Sequence, residues 1–441
     1  MHELTRLIYD DMKPALGVTE PGAIAFATAL ARSYTQGEIE KIELSLNSGM
    51  YKNAFTCGIP NTSEVGNLYA AALGASVNQP EKGLELLGEV TAADRKAADQ
   101  LILEKRVSAA VSSINSEIYI SATVTTATDR CRVIIKEKHT NVREIQLNGQ
   151  VLHIDTYPGT LAAASAIEYK QQRTDAHHSS TEDALIHQYS LKELIDYIET
   201  VEFEEITFIE NAYIMNEQLF LAGLHSERTT FSQQLFHHNQ DKIFSEDELA
   251  TAQLLCNGAI EARVIGLEKP AMSITGSGAH GIISTMPLYA VQKIHHLSHS
   301  SLLRATALSY LVTMYIKEYS GRLSAFCGCG IAAGTGMACA IAWMKGANYS
   351  QLEKVLCNMA SGITGMICDG GNQGCTMKGI VAVDAAFRAV EFALKDVAVA
   401  PQHGINGLTP EDTMRNMGLI ASPGMIATEK TIIDIMESKV K

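Results

Sequence analysis

Two hydrophobic periods share this chain, and the place where one gives way to the other limits the folds open to it. From Val107 to Ile154, Val, Ile, Thr and Tyr crowd together, as in the EIYISATVTT run of Glu117–Thr126 and the RVIIKE run of Arg132–Glu137, and Asn148–Gly149 follows as a turn signal. β-Branched and aromatic residues bracketing such a turn predict an antiparallel sheet. A further strand is expected over Ile39–Leu46, where apolar and polar residues alternate, with a Gly- and Asn-containing loop after it. After Asp175 the period becomes helical almost to the end, beginning with the polar His177–Ser180 stretch and continuing through Leu191–Ile198. Tyr69–Ala75 and Ala92–Leu103 also carry helical spacing, and residues 3–33 read as two helices meeting at a turn over Gly17–Gly22. The expected fold class is α+β, with a small α+β domain over residues 36–160 that contains the antiparallel sheet. Residues 1–35 plus 161–441 form a mainly α-helical domain.

With 441 residues and 46% hydrophobic side chains, the chain can bury a large core without staples. A formal charge of -14 provides no basic surplus to neutralise phosphates, which argues against nucleic acid and anionic membranes and for a small-molecule partner. The start, Met1-His2-Glu3-Leu4-Thr5-Arg6, lacks the charged-then-apolar layout of a signal peptide, so a cytoplasmic location is expected. Met337–Met344 is far too short to span a bilayer and reads as a buried helix. Ala/Gly-rich helical surfaces permit a homodimer.

Six of the nine cysteines, Cys327, Cys329, Cys339, Cys357, Cys368 and Cys375, fall in the last third of the chain. In a reducing compartment such crowding points to metal binding or catalysis rather than to disulfides. Cys368 and Cys375 flank a loop of Asp, Gly, Asn and Gln that can curl around one inorganic cluster, its amides donating to sulfides. Cys327 or Cys329, ahead of an Ala-rich helix, offers a third thiolate. Cys339 and Cys357 sit mid-helix among apolar neighbours, where cysteine acts as a small hydrophobe. Zinc would also accept thiolates, but the paired C-x-x-C knuckles of structural zinc sites are missing.

Upstream, Ser273–Ile282 strings small residues before a helix. Its amides at Thr275, Gly276, Ser277 and Gly278, with the Thr275 and Ser277 hydroxyls, form an anion-binding nest for a substrate carboxylate. His280 reads as a ligand, an acid–base group or a hydrogen-bonded packing residue. Glu20 on the Gly17–Gly22 turn is a candidate base, or a charge at a helix N-terminus.

In order along the chain, Ala15–Pro21 (ALGVTEP), Lys52-Asn53, Thr275–Ile282 (TGSGAHGI), Cys327–Gly336 (CGCGIAAGTG) and Ile367–Cys375 with Lys378 resemble the L-cysteine desulfidase family and, more distantly, the alpha part of iron–sulphur L-serine dehydratase. The resemblance implies a serine-dehydratase-alpha-like helical domain and a [4Fe–4S] cluster on three cysteines. Carried over, the ligands are Cys329, Cys368 and Cys375, with Cys327 as the alternative to Cys329. The TGSGAHGI loop becomes the carboxylate site, Lys52 and Asn53 join the substrate-binding residues, and Glu20, His280 and Lys378 are the catalytic candidates. The implied reaction is α,β-elimination of L-cysteine or L-serine to pyruvate and ammonia. An iron lacking a protein ligand would act as Lewis acid on the β-substituent. One departure stands out: Val18 occupies the place of a cysteine in the ALGCTEP turn of the desulfidases, and valine neither ionises nor coordinates. The rival expectation is a non-catalytic relative that keeps the fold and binds a metal cluster or a small amino acid.

Overall fold

The computed structural model describes residues 1–152, 184–321 and 323–439, and divides into two compact units, Met1–Val18 with Ile186–Lys441 and Thr19–Leu185. The His177–Ser180 stretch and the expected boundary at residue 160 lie outside the described residues. The fold is α+β, mainly helical, with a mixed sheet and a small antiparallel one.

The chain opens with helix α1 (Glu3–Asp11) and then a short strand, β1 (Lys13–Leu16), where a continuous approach to a helical turn was expected. Pro14 lacks an amide hydrogen and suits this edge position. Its partner is far away in sequence, so no local pattern announces it. Thr19 then starts α2 (Thr19–Ser33), and Glu20 lies in the first turn of this helix rather than on a free turn. That is the favourable end of the helix dipole for a carboxylate.

Thr19–Leu185 is built on a six-stranded sheet of order β3-β2-β4-β5-β6-β7. Strand β2 (Ile39–Asn47) leads into α3 (Ser48–Ala54), a helix where the Gly49 and Asn53 signals read as a loop. Helices α4 (Gly66–Val77) and α5 (Ala92–Leu103) follow before β3 (Val107–Ser113). Because this helical crossover joins them, β2 and β3 pair parallel, so the sheet is mixed and not purely antiparallel as expected. The remaining strands, β4 (Tyr119–Thr126), β5 (Arg130–Lys136), β6 (Val142–Leu147) and β7 (Gln150–Leu152), pair antiparallel. The last hairpin turns on Asn148 and Gly149, both at positive φ, as a two-residue turn matching strand twist requires. Helix α2, buried from Glu20 to Ala31, packs on β4, β5 and α4, and this is why it belongs with the sheet rather than with the helical unit. Gly74 permits the crossing, since a Cβ there would stand 2.3 Å from the Ala25 carbonyl oxygen.

The other unit continues through α6 (Leu191–Thr200), α7 (Phe203–Ile206), α8 (Glu210–Leu224), α9 (Phe231–His238) and α10 (Glu248–Val264). Strand β8 (Pro270–Ser273) and α11 (Gly278–Ile294) come next, then α12 (His299–Ser320), α13 (Gly334–Met344), α14 (Tyr349–Ile363), α15 (Gly374–Ala393), α16 (Pro410–Leu419) and α17 (Ile426–Ser438). Helices α10, α11 and α13 are buried on nearly all sides and form its centre, with α8, α12 and α15 around them. Strand β8 pairs antiparallel with β1, Lys13 opposite Ser273 and Leu16 opposite Pro270. This pairing brings Asp11 to the loop between β8 and α11. No helix among the described residues is long and apolar enough to cross a membrane.

Candidate functional site

The two cysteine-bearing segments are laced to one another by backbone. Phe326 and Ile367 form an antiparallel bridge, the Cys327 amide donates to the Met366 carbonyl at 3.0 Å, and the Cys368 amide donates to the Ala325 carbonyl at 2.6 Å. Cys329 then begins a π-helical turn, Cys329–Ala333, that runs into α13, and Cys375 sits in the first turn of α15. Such π turns recur at functional sites. Gly330 is required here, because a Cβ would stand 2.3 Å from the Met366 sulfur.

The thiols communicate. A hydrogen bond with Cys329 and then burial hold the Cys327 thiol far above its ordinary range, opposed by the Gly330 amide and Lys378. Burial, then the neighbouring Cys368 and Cys327, push Cys375 up to about 12 against the pull of Lys378. Cys256 on α10 is likewise raised, by burial and by Cys329. Asn372 organises the intervening loop: its Oδ1 accepts from the Gly374 amide at 2.8 Å and its Nδ2 donates to the Asp369 carbonyl at 3.2 Å. The Cys375 thiol donates to the Gly370 carbonyl at 3.3 Å. Lys378 pairs with Asp369; burial alone would lower the ammonium, but Cys375 and Asp369 hold it above its usual value, so it stays protonated.

Soft thiols drawn from two segments, with amide donors beside them, match in chemistry a thiolate-bound cluster better than a hard cation. Among the described residues no three His, Cys, Asp or Glu side chains are disposed to hold a single metal ion. A four-iron cluster makes a different demand, because each thiolate binds its own iron. In contrast, Cys339 is pushed up to about 12 by burial alone, as expected of a packing residue.

The β8–α11 loop meets this region through His280. Thr275 and Gly276, both at positive φ, turn the chain so that Ile274 and Ser277 bridge. The expected nest is partly occupied by the protein itself. The Thr275 amide donates to the Asp11 carboxylate, the Ser277 amide to the Ile274 carbonyl at 3.1 Å, and the Thr275 hydroxyl to the same carbonyl at 2.8 Å. His280 Nδ1 faces Thr275 Oγ1 at 2.5 Å. Because the Thr275 hydroxyl spends its proton on the Ile274 carbonyl, it accepts from His280, which assigns the proton to Nδ1 and leaves Nε2 as the acceptor nitrogen. Nε2 lies 2.6 Å from where a Cβ on Gly328 would stand, so Gly328, between Cys327 and Cys329, admits the imidazole. Burial, followed by the Lys317 and Arg263 cations, lowers His280 to about 3. The imidazole is therefore neutral.

Glu20, Lys52 and Asn53 belong to the Thr19–Leu185 unit. Glu20 is buried and accepts from Asn53 Nδ2 at 2.9 Å, with His139 Nε2 at 4.0 Å from the same oxygen. Lys52 on α3 is also buried. Val18 is 4% exposed. Sequence reading overlooked Asp11, His139, Arg263 and Lys317. The one available signal was charge on α10 and α12, helices otherwise patterned for burial.

The sequence profile described as "Serine dehydratase alpha chain" matches residues 81–434. A UPF0597 protein of Clostridium botulinum is 37% identical over 433 residues, covering 98% of each chain. UPF0597 proteins of Caldanaerobacter subterraneus and Clostridioides difficile are each 33% identical, the first over 99% of this chain and 98% of its own, the second over 97% of both.

Proposed function

The chain belongs to the serine dehydratase alpha chain family, and from that premise we propose that it is an iron–sulphur-dependent lyase that eliminates the β-substituent of L-cysteine or L-serine. The observation that carries the reading is the backbone lacing that brings the Cys327–Cys329 and Cys368–Cys375 segments together, with His280 against Gly328 and Lys378 paired to Asp369 in the same loop. Cys329, Cys368 and Cys375 are the proposed ligands of a [4Fe–4S] cluster, with Cys327 as the alternative to Cys329. When bound, the cluster would supply a Lewis-acidic iron to a sulfur or oxygen substituent.

The protein's own groups account for the remainder. His280 Nε2 accepts the α-proton, and a bound carboxylate strengthens it as a base by screening the Lys317 and Arg263 cations. The electron pair of the broken C–H bond forms the Cα–Cβ double bond as the Cβ–S or Cβ–O bond breaks. Lys378 donates a proton to the departing group, leaving sulfide or water. The aminoacrylate tautomerises to an imine, and water converts it to pyruvate and ammonia. Glu20, hydrogen-bonded to Asn53 and with Lys52 next in sequence, is the second candidate for acid–base work. Val18 favours one further reading, a relative that binds an amino acid without turning it over, because a buried hydrocarbon stands where desulfidases carry a thiol.

The test is anaerobic reconstitution with iron and sulfide counting, followed by pyruvate assays on L-cysteine and L-serine in parallel. Iron uptake with pyruvate from either substrate is expected. Iron uptake without pyruvate from either would leave the binding reading in its place.

A further inference from the structure

Helix α11 begins in the interior. Gly278, Ala279 and His280, its first three residues, are all buried, and Ser277 makes no side-chain capping bond. Among the described residues no group accepts from these three amides. Arg263, projecting from α10, comes to the same place. Its Nε lies 2.7 Å from where a Cβ on Gly278 would stand, so only glycine lets the guanidinium cover the helix start. Arg263 is 5% exposed, and among the described residues its Nε has no hydrogen-bond partner and no carboxylate pairs with it. Its neighbour Glu261 differs: it accepts from the Thr230, Phe231 and Ser232 amides and the Ser232 hydroxyl. Buried donors are normally satisfied. Three amides and a guanidinium converging without an acceptor therefore call for an anion.

We infer that Arg263 is the carboxylate anchor of the amino-acid substrate, clamping it together with the first-turn amides of α11. The inference rests on the lyase reading for the identity of that substrate and extends it to a residue outside every motif. Local charge selects the ligand class. Asp11, held on the adjoining Thr275 amide, repels a dianion such as phosphate but attracts the ammonium of a zwitterion. A monoanionic carboxylate with an α-ammonium fits both ends.

The test uses the full chain and ligands that cannot be eliminated: L-alanine, L-alaninamide, in which an uncharged carboxamide replaces the carboxylate and the ammonium is kept, and inorganic phosphate, measured by calorimetry. L-Alanine should bind at least about tenfold more tightly than L-alaninamide, as expected for a charge-assisted bidentate contact, and phosphate no better than L-alaninamide. Arg263→Gln should reduce L-alanine to the affinity of L-alaninamide while leaving L-alaninamide unchanged. Arg263→Lys, which keeps the charge but not the fork, should fall between them. Fluorescence of Trp343, the single tryptophan and a residue of α13, checks that each variant is folded. Parent protein without preference for L-alanine over L-alaninamide, phosphate as the tightest ligand, or a folded Arg263→Gln or Arg263→Lys variant that keeps the parent's preference would each overturn the assignment. Arg263-dependent binding without pyruvate formation would sink the lyase reading and leave the anchor standing. Pyruvate formed with an unchanged KM in Arg263→Gln would do the reverse.

Discussion

Gly281→Ala sets helix propensity and packing against each other. Gly281 lies inside α11, where alanine is favoured over glycine by about 1 kcal/mol, so propensity alone predicts a more stable protein. In the fold, however, a Cβ at this position would stand 1.9 Å from the Met272 carbonyl oxygen and 2.9 Å from its carbon, both backbone atoms of β8. Ordinary contact begins near 3.4 Å, so relief takes about 1.5 Å of movement between two backbones, at or beyond the upper end of the overpacking range. A gross cost of about 3 kcal/mol or more, less the propensity gain, leaves a net loss of about 2 kcal/mol. Guanidinium unfolding followed by Trp343 fluorescence reads the unit that holds Gly281. Gly276→Ala is the matched control, since no atom lies within 4 Å of its Cβ and the cost comes only from φ +76, about 1 to 2 kcal/mol. The same β8–α11 contact fixes the loop before Gly278, so Gly281→Ala should also weaken L-alanine binding more than Gly276→Ala does. A neutral or stabilised Gly281→Ala protein would refute the packing argument, because its sign would be that of propensity.

Three further outcomes are expected. Cys368→Ser and Cys375→Ser should each retain less than about half of the parent's iron after anaerobic reconstitution, while Cys339→Ser, altering a packing residue, should bind iron like the parent. His280 is held near 3 against an ordinary value of 6.5, so between those values the unfolded chain takes up the extra proton. Its contribution is complete above pH 6.5 and is lost as pH falls toward 3, with a slope of up to about 1.4 kcal/mol per pH unit. His280→Gln should flatten the measured pH dependence in that window, and an unchanged slope would contradict the assignment. Asn53→Leu removes a donor from the buried Glu20 carboxylate and should cost about 1 to 3 kcal/mol, read as faster hydrogen exchange in α2; unchanged exchange would mean that other donors suffice.

What the sequence makes legible here is what short stretches of chain decide by themselves. Helix α5 runs over Ala92–Leu103 as its spacing predicts, and the Asn148–Gly149 turn closes its hairpin. Strand β1 is legible only together with β8, since Lys13 pairs with Ser273 across most of the chain. The parallel pairing of β2 and β3 likewise follows from the helical crossover and not from either strand's residues. Glycine gave the most ambiguous signals, because the residue permits several geometries. Gly49 lies within a helix, Gly276 serves a positive φ, and Gly278, Gly281 and Gly328 make room for Arg263, Met272 and His280. A glycine-rich motif announces close approach without naming what approaches.

Arg263 is hidden in the sequence while the loop beside it is legible as an anion site. The TGSGAHGI segment displays small residues before a helix, a pattern carried in eight consecutive positions. Two of the amides that pattern offers are already occupied, Thr275 by Asp11 and Ser277 by Ile274. The binding capacity therefore shifts one step along, to the buried amides of Gly278, Ala279 and His280. At that depth amides alone make a weak case, since helix starts are common and many are capped. The guanidinium changes the balance: burying a permanent cation without a partner is costly, and no rearrangement of protonation can neutralise arginine. A fold that keeps Arg263 and three donors without an acceptor among the described residues is stable enough to tolerate that cost, and binding a carboxylate removes it. Site and substrate are thus coupled in both directions, and a saturating concentration of L-alanine should raise the midpoint of thermal unfolding more in the parent than in Arg263→Gln.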